Sequence, residues 1–328
     1  MAIDTARRQF IFALGGAAAA WPLAARAEQL SYPERPLTMV VTFSAGGSSD
    51  VLARAVADAM SRGLGRQVAV DNRPGAGGHV GAESVAHAAP DGYTILFGSP
   101  AFAINRFLFP TLGYDALVDF APVSLLATYP DLMAVSNTSP AKTVAEFIAH
   151  AKSNGGRTTF ASPGTGSSPH LAGELFKRRA GIEMTHVAYR GAGPAVTDVM
   201  AGRIDVTFET FASALALVRG GQLRGLAVTS AKRFAAAPEF PSIAEAALPG
   251  FDVSGWYALY VPAKTPPDII GKLNADVVAV LKNPEFRDKF EQLGVTVVGS
   301  TPEALDRHLR AEFELWEPVV KAAAIKIE

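Results

Sequence analysis

The chain has 328 residues, with 30 Lys+Arg against 31 Asp+Glu, six His and no Cys. That length suits roughly two domains of about 100–200 residues, and 49% apolar against 19% charged residues supplies a core without a signature of disorder. A net charge of −1 leaves no basic footprint for nucleic acid, and the missing cysteines remove disulfides, thiolate nucleophiles, zinc ribbons, iron–sulfur centres and a lipid anchor on an N-terminal Cys.

The N-terminus reads as an address. Arg7 and Arg8 form a charged start, an apolar run follows through Ala20, and Ala25-Arg26-Ala27 is a small-x-small cleavage site. The apolar run is too short to span a bilayer, so residues 1–27 are expected to be a signal peptide cut after Ala27, against the competing reading of an N-terminal anchor. Arg7-Arg8-Gln9-Phe10-Ile11 resembles a twin-Arg signal, although Ala6 stands where Ser or Thr is usual, which leaves the general secretory route open. The expected location is the periplasm.

After the leader, apolar runs alternate with helical patterns. Leu37–Phe43 reads as a buried strand bounded by Pro36 and by glycines. Residues 50–62 place Val51, Leu52, Ala55, Val56, Ala59 and Met60 on one helical face. Strands at 67–70 and 93–97 flank a glycine-rich stretch and a helix ending near Ala89. Further on, helices at 142–154, 169–180 and 193–201 alternate with strands at 157–161, 184–189, 203–208 and 223–229. Thr301-Pro302-Glu303 opens a last helix with an N-cap, a first-turn proline and an acid at the positive end of the dipole. Such alternation predicts an α/β fold whose parallel sheets are covered on both faces, in two lobes with the chain crossing twice. Lobe 1 is expected over 28–127 and 231–300, lobe 2 over 128–230, and a closing helix over 301–328.

Two strand-to-helix junctions share one design. Phe43-Ser44-Ala45-Gly46-Gly47-Ser48-Ser49-Asp50 and Ser162-Pro163-Gly164-Thr165-Gly166-Ser167-Ser168-Pro169-His170 each leave a strand through glycines and enter a helix at serines. Glycine permits close approach of a ligand, and the first helical turn offers unpaired N–H donors and positive potential, which suits a carboxylate or phosphate. The plainer alternative is a pair of Ser-capped turns. Neither matches a dinucleotide or phosphate-loop fingerprint. Asp50 reads as a cap that holds its loop, because a carboxylate there would repel an anion. His170 is open between contacting a ligand and packing behind the loop. Tyr189-Arg190-Gly191 is a third junction, where Arg190 either neutralises a carboxylate or makes a surface pair, and Asn72–Gly78 is a turn that could line a cleft. No G-x-S-x-G, H-E-x-x-H or metal-ligand spacing of histidines occurs, so neither a metal nor a cofactor is expected. A hydrolase would have to assemble scattered residues such as Ser48 and His170.

The mature sequence resembles the substrate-binding receptors of tripartite tricarboxylate transporters, the Bug receptors. The resemblance runs from Tyr32-Pro33 to the Trp316 helix. Its densest points are Phe43-x-Ala45-Gly46-Gly47-x-x-Asp50, Asn72–Gly78, Pro90-Asp91-Gly92-Tyr93-Thr94, Asp119-Phe120-x-Pro122-Val123, Ser162-x-Gly164-x-Gly166-Ser167-x-x-His170-Leu171 and His186-Val187-x-Tyr189-Arg190-Gly191. Ala227-Val228-Thr229 and Lys272-Leu273-Asn274 continue it. Thr42 and Asp71 depart from the usual Pro and Glu, and neither change removes a donor.

The resemblance implies a two-lobed periplasmic binding protein (Venus-flytrap) fold with two crossover strands and a small organic carboxylate clamped in the cleft. The matching loop positions are Ser44, Ala45, Gly46, Gly47 and Ser48 on one lobe and Ser162, Gly164, Thr165, Gly166 and Ser167 on the other, holding the carboxylate through backbone N–H groups and ordered waters. Phe43 would pack on the ligand; Ser99, Tyr189 and Gly191, with His170, would complete the wall. Glu209 would face the ligand's distal end. The expected partners are the membrane subunits of a transporter, or else a sensor kinase, with a monomer as the default. The protein is expected not to be an enzyme. Four or five charge-assisted hydrogen bonds of roughly 1.5–3 kcal/mol each, less the cost of closure, reach the −8 kcal/mol or so of a micromolar ligand.

Overall fold

Leu37, Met39, Val40 and Val41 are wholly buried, as a strand covered on both faces must be. They form β1 (Leu37–Val41) in a computed structural model that describes residues 32–323 except Pro110, Arg190 and Leu293. The expected signal peptide, residues 1–27, and the tail 324–328 lie outside the described residues. Contacts separate a short N-terminal unit ending at Arg35 from a body that begins at Pro36, and the elements of the described residues fall in that body.

β1 leads into α1 (Ser48–Leu64), β2 (Val68–Asn72), a 3-10 turn (Ala76–Gly78), α2 (His79–Ala86), β3 (Thr94–Gly98) and α3 (Pro100–Leu108). β1 lies between β2 and β3, all three parallel, with Val40 beside Asp71 and Leu96. The chain then runs through β4 (Phe120–Ser136), which belongs to two sheets in turn. Its first stretch pairs antiparallel with β9 (Ser254–Pro262), which pairs antiparallel with β3. The pairing ends at Pro130, opposite Ser254, and from Asp131 the same strand pairs with β7 (Val206–Thr210) and β8 (Leu223–Val228). A register shift falls at Pro122, where the missing N–H leaves a gap in the ladder.

The second sheet is built from α4 (Val144–Ser153), β5 (Thr158–Ser162), α5 (Ser168–Ala180), β6 (Met184–Ala188), α6 (Ala192–Met200), β7, α7 (Phe211–Arg219) and β8, with β5 parallel to β6 and β7. After β8 come α8 (Ile243–Ala246), β9, α9 (Pro267–Lys282), α10 (Pro284–Gln292), β10 (Thr296–Val297) and α11 (Pro302–Ala323). Thr301 caps α11 as expected, its hydroxyl accepting the Ala304 N–H at 3.3 Å.

Two cores result. Val40, Leu96, Phe102, Trp256, Tyr260 and Phe313 belong to the first; Val135, Phe147, Phe160, Phe176, Phe208 and Trp316 belong to the second. Ile243, Phe251 and Val253 also sit in the second core, and Phe234 and Ala237 pack with Leu132 and Phe211. Residues 234–253 therefore go with the second sheet, not with the first lobe expected for them. The proline-rich sequence there signals a loop, but its three apolar anchors decide which core it covers.

Candidate ligand-binding site

β3 and β4 both run antiparallel to β9 and so run parallel to each other, and β4 then meets the C-terminal end of β7 head-on. Strand direction thus brings the C-terminal edges of the two parallel sets together at the crossing, Pro130–Asp131. Open α/β sheets hold their ligands at such edges. The loop after β2 and the end of α3 meet the loop after β5 there: a Cβ on Gly77 would lie 3.9 Å from the Thr165 carbonyl, and one on Gly166 would lie 3.1 Å from Leu108 Cδ1.

In the first loop Ser44–Ser48 are exposed and Phe43 is half-buried. Gly46 has φ +85°, and its N–H donates to Asp50 Oδ2 at 2.9 Å. Asp50, 4% exposed, also accepts from Arg54 Nε at 3.1 Å and Asn72 Nδ2 at 3.0 Å, while Asn72 donates to the Phe43 carbonyl at 3.1 Å. Burial alone would raise the Asp50 carboxyl, but the hydrogen bonds from Arg54, Gly46 and Asn72 outweigh it and hold the group below the usual carboxylate range. Asp50 is therefore the latch expected of it. The first intrahelical bond is Val51 N–H to the Gly47 carbonyl, so the N–H groups of Ser48, Ser49 and Asp50 precede the helical ladder.

The second loop repeats the geometry with other chemistry. Gly166 has φ +82°, and its N–H donates to His170 Nδ1 at 3.1 Å, again four residues on. That bond requires Nδ1 to be unprotonated. Behind it His170 stacks on His186 with ring centroids 3.9 Å apart, and His186 Nε2 meets Ser162 Oγ at 2.7 Å. Burial, then the charges of His186 and Lys177, hold His170 well below the ordinary histidine value, and burial holds His186 down to about 4. Ser167 Oγ donates to the Gly164 carbonyl at 2.6 Å and receives the His170 N–H at 3.4 Å, capping α5.

The remaining expected residues divide. Ser99 is buried at the N-cap of α3 and lies at the edge. Tyr189 reaches the edge by its backbone, whose N–H donates to the Ser162 carbonyl at 3.0 Å, but its hydroxyl donates to Asp198 Oδ2 at 2.5 Å. The Gly191 N–H donates to the Pro163 carbonyl at 3.0 Å, and Arg190 lies outside the described residues. Glu209, at the end of β7, is 1% exposed; its Oε1 accepts from the Thr210 N–H and hydroxyl, and Oε2 has no partner among the described residues. Burial raises its carboxyl despite the Thr210 bonds. Sequence reasoning missed Asp131, which is 0% exposed at the crossing and receives a hydrogen bond from Ser168 Oγ. The available signal was one acid inside the apolar run from Pro130 to Val135.

Two α/β halves joined by crossing strands, with glycine–serine loops opposed at the crossing, define a two-lobed solute-binding receptor. Residues 52–325 match the tripartite tricarboxylate transporter family receptor, and the chain belongs to that family, one of periplasmic binding receptors. It is 35% identical over 300 residues to BugT of Bordetella pertussis, covering 91% of this chain and 92% of the relative. It is also similar to the solved structure of R. palustris Rpa4515 with adipate, at 36% identity and a TM-score of 0.83, covering 90% of this chain and 100% of that one. MatC (Rpa3494) from Rhodopseudomonas palustris with bound malate is similar at 33% identity and a TM-score of 0.79, over 88% of this chain and 100% of that one. The resemblance carried by the loop motifs and the two-lobed α/β class both hold. Among the described residues no helix is long and apolar enough to cross a membrane.

Proposed function

We propose that this protein is exported, cut after Ala27, and captures a small organic dicarboxylate between its two glycine–serine loops for delivery to a transporter in the inner membrane. One observation carries the reading: Gly46 and Gly166 adopt the same left-handed geometry at opposed sheet edges, and each donates its N–H to a side chain four residues on. Both loops are thereby shaped before any ligand arrives, which lowers the ordering cost of binding. With the Gly46 and Gly166 donors turned inward, the ligand's carboxylate takes its hydrogen bonds from the other loop N–H groups, those of Ser44, Ala45, Gly47 and Ser48 on one side and Thr165 and Ser168 on the other. Phe43, Ser99 and the backbones of Tyr189 and Gly191 form the walls. The adipate and malate bound by the two similar structures have the expected chemistry.

A thermal-shift panel on residues 28–328 tests this, with succinate, malate, adipate, citrate and benzoate, and with the corresponding amides as controls. A cleft ligand at 100 times its Kd adds about 2.7 kcal/mol, read as a shift of a few degrees. A shift with an acid and none with its amide supports the reading. If no acid produces a shift and native mass spectrometry finds the cleft empty, the reading fails; turnover lost on Ser48→Ala would favour the hydrolase instead.

A further inference from the structure

At the crossing, Tyr257 on β9 and Tyr129 on β4 stack with ring centroids 4.9 Å apart. Two residues further along β4, and so on the same strand face, stands Asp131. Its backbone is fixed from both sides: its N–H donates to Thr229 Oγ1 at 2.8 Å and its carbonyl accepts the Thr229 N–H at 2.9 Å. Its Oδ2 takes the hydrogen bond from Ser168, the first residue of α5, and its Oδ1 is buried with no partner among the described residues.

We propose that Asp131 is a ligand-binding residue: a neutral carboxyl whose Oδ1 carries the proton and donates it in a hydrogen bond to an oxygen of the bound carboxylate. This deepens the receptor reading and rests on it. The loops collect an anion, and an ionised, unpaired carboxylate buried beside that anion would repel it, whereas the neutral acid adds a donor. With Oδ2 occupied by Ser168, the proton belongs on Oδ1. Burial first, and then the like charge of Glu209, push the carboxyl well above the usual range, against the Ser168 hydrogen bond. The other titratable groups that face it are Tyr129 on its own strand and Tyr257 on β9, both raised by burial and neutral, while His170, two residues beyond Ser168 on α5, is itself held neutral. The arrangement selects carboxylates that present an acceptor at the crossing over α-amino acids, which would present an ammonium there.

The test uses residues 28–328 as wild type, D131N and D131L, with succinate, adipate, aspartate and glutamate as probes in calorimetric titrations at pH 6 and pH 8. A carboxyl 13C resonance absent from the D131N spectrum reports the protonation state directly. Expected are a neutral Asp131 at pH 7, dicarboxylates bound over their amino counterparts, and affinity ranked wild type, D131N, D131L, the last weaker by about tenfold or more. D131N keeps a donor and is the control should D131L fold poorly. An ionised Asp131 at pH 7, D131L binding like wild type, or D131N losing as much as D131L would each overturn the proposal, the last pointing to an ammonium ligand. A wild-type protein that binds none of the acids and whose cleft is empty by native mass spectrometry overturns the receptor reading and the proposal with it, whereas the other outcomes leave the reading standing.

Discussion

The two pincer loops make the same backbone turn with opposite chemistry. At Gly46 the acceptor four residues on is an ionised carboxylate, tied to Arg54 and Asn72 in a loop that lies open to water. At Gly166 it is a neutral imidazole, stacked on a second imidazole and largely buried. The carboxylate latch stays charged although its own side chain is buried, because Arg54, Gly46 and Asn72 hydrogen-bond it, while the neutral histidine latch needs burial to stay deprotonated. One geometry thus admits two solutions with different failure modes.

Breaking the charged latch should cost most. Asp50→Ala removes the shared acceptor of Gly46, Arg54 and Asn72, and urea unfolding should show a loss of about 2–4 kcal/mol with m unchanged. His170→Leu leaves only the Gly166 N–H without its acceptor and should cost about 1–3 kcal/mol in the same measurement.

Acid separates the two latches. Below 6.5 an unfolded histidine binds a proton that folded His186, held down to about 4, and folded His170 do not, so their contribution falls as pH drops through that window. The depressed Asp50 contributes above 3.8 and loses its share only below that value. Stability of wild type and of a His170→Leu, His186→Leu double variant, followed from pH 7 to pH 4.5, should converge as pH falls. Parallel curves would show that the stack does not titrate.

Smaller effects sharpen the comparison. Gly46→Ala meets nothing within 4 Å and should cost the left-handed strain alone, about 1 kcal/mol; Gly166→Ala meets Leu108 as well and should cost more, with Leu108→Ala recovering the difference. Arg54→Lys should be nearly silent, at most about 1 kcal/mol, since Arg54 is half exposed.

Both loops were legible in the sequence because glycine and serine between a strand and a helix carry local information. Local information is also why Asp50 was readable as a cap: the groups that donate to it, on Gly46, Arg54 and Asn72, lie within its own lobe. His170 was not resolved, because its role depends on His186, brought beside it by the pairing of β5 with β6. The crossing strand β4 escaped notice because Pro122 and Pro130 sit in it, and proline ordinarily argues against a paired strand. α3 and α7 escaped notice as well: each spans nine residues, too short a window for a helical period to stand out. Asp131 was missed for both reasons, as a residue in an unrecognised strand whose partner comes from another element.

The closing helix α11 carries a mechanical consequence. Leu305, Leu309 and Phe313 are sunk in the first core, and Trp316, Val319 and Val320 in the second. At the passage between them Glu312 accepts from the indole N–H groups of both Trp256, at 2.8 Å, and Trp316, at 3.1 Å. A rod anchored in both halves turns the crossing from a free pivot into a one-sided hinge. Any opening between the halves is thereby confined to the side away from α11.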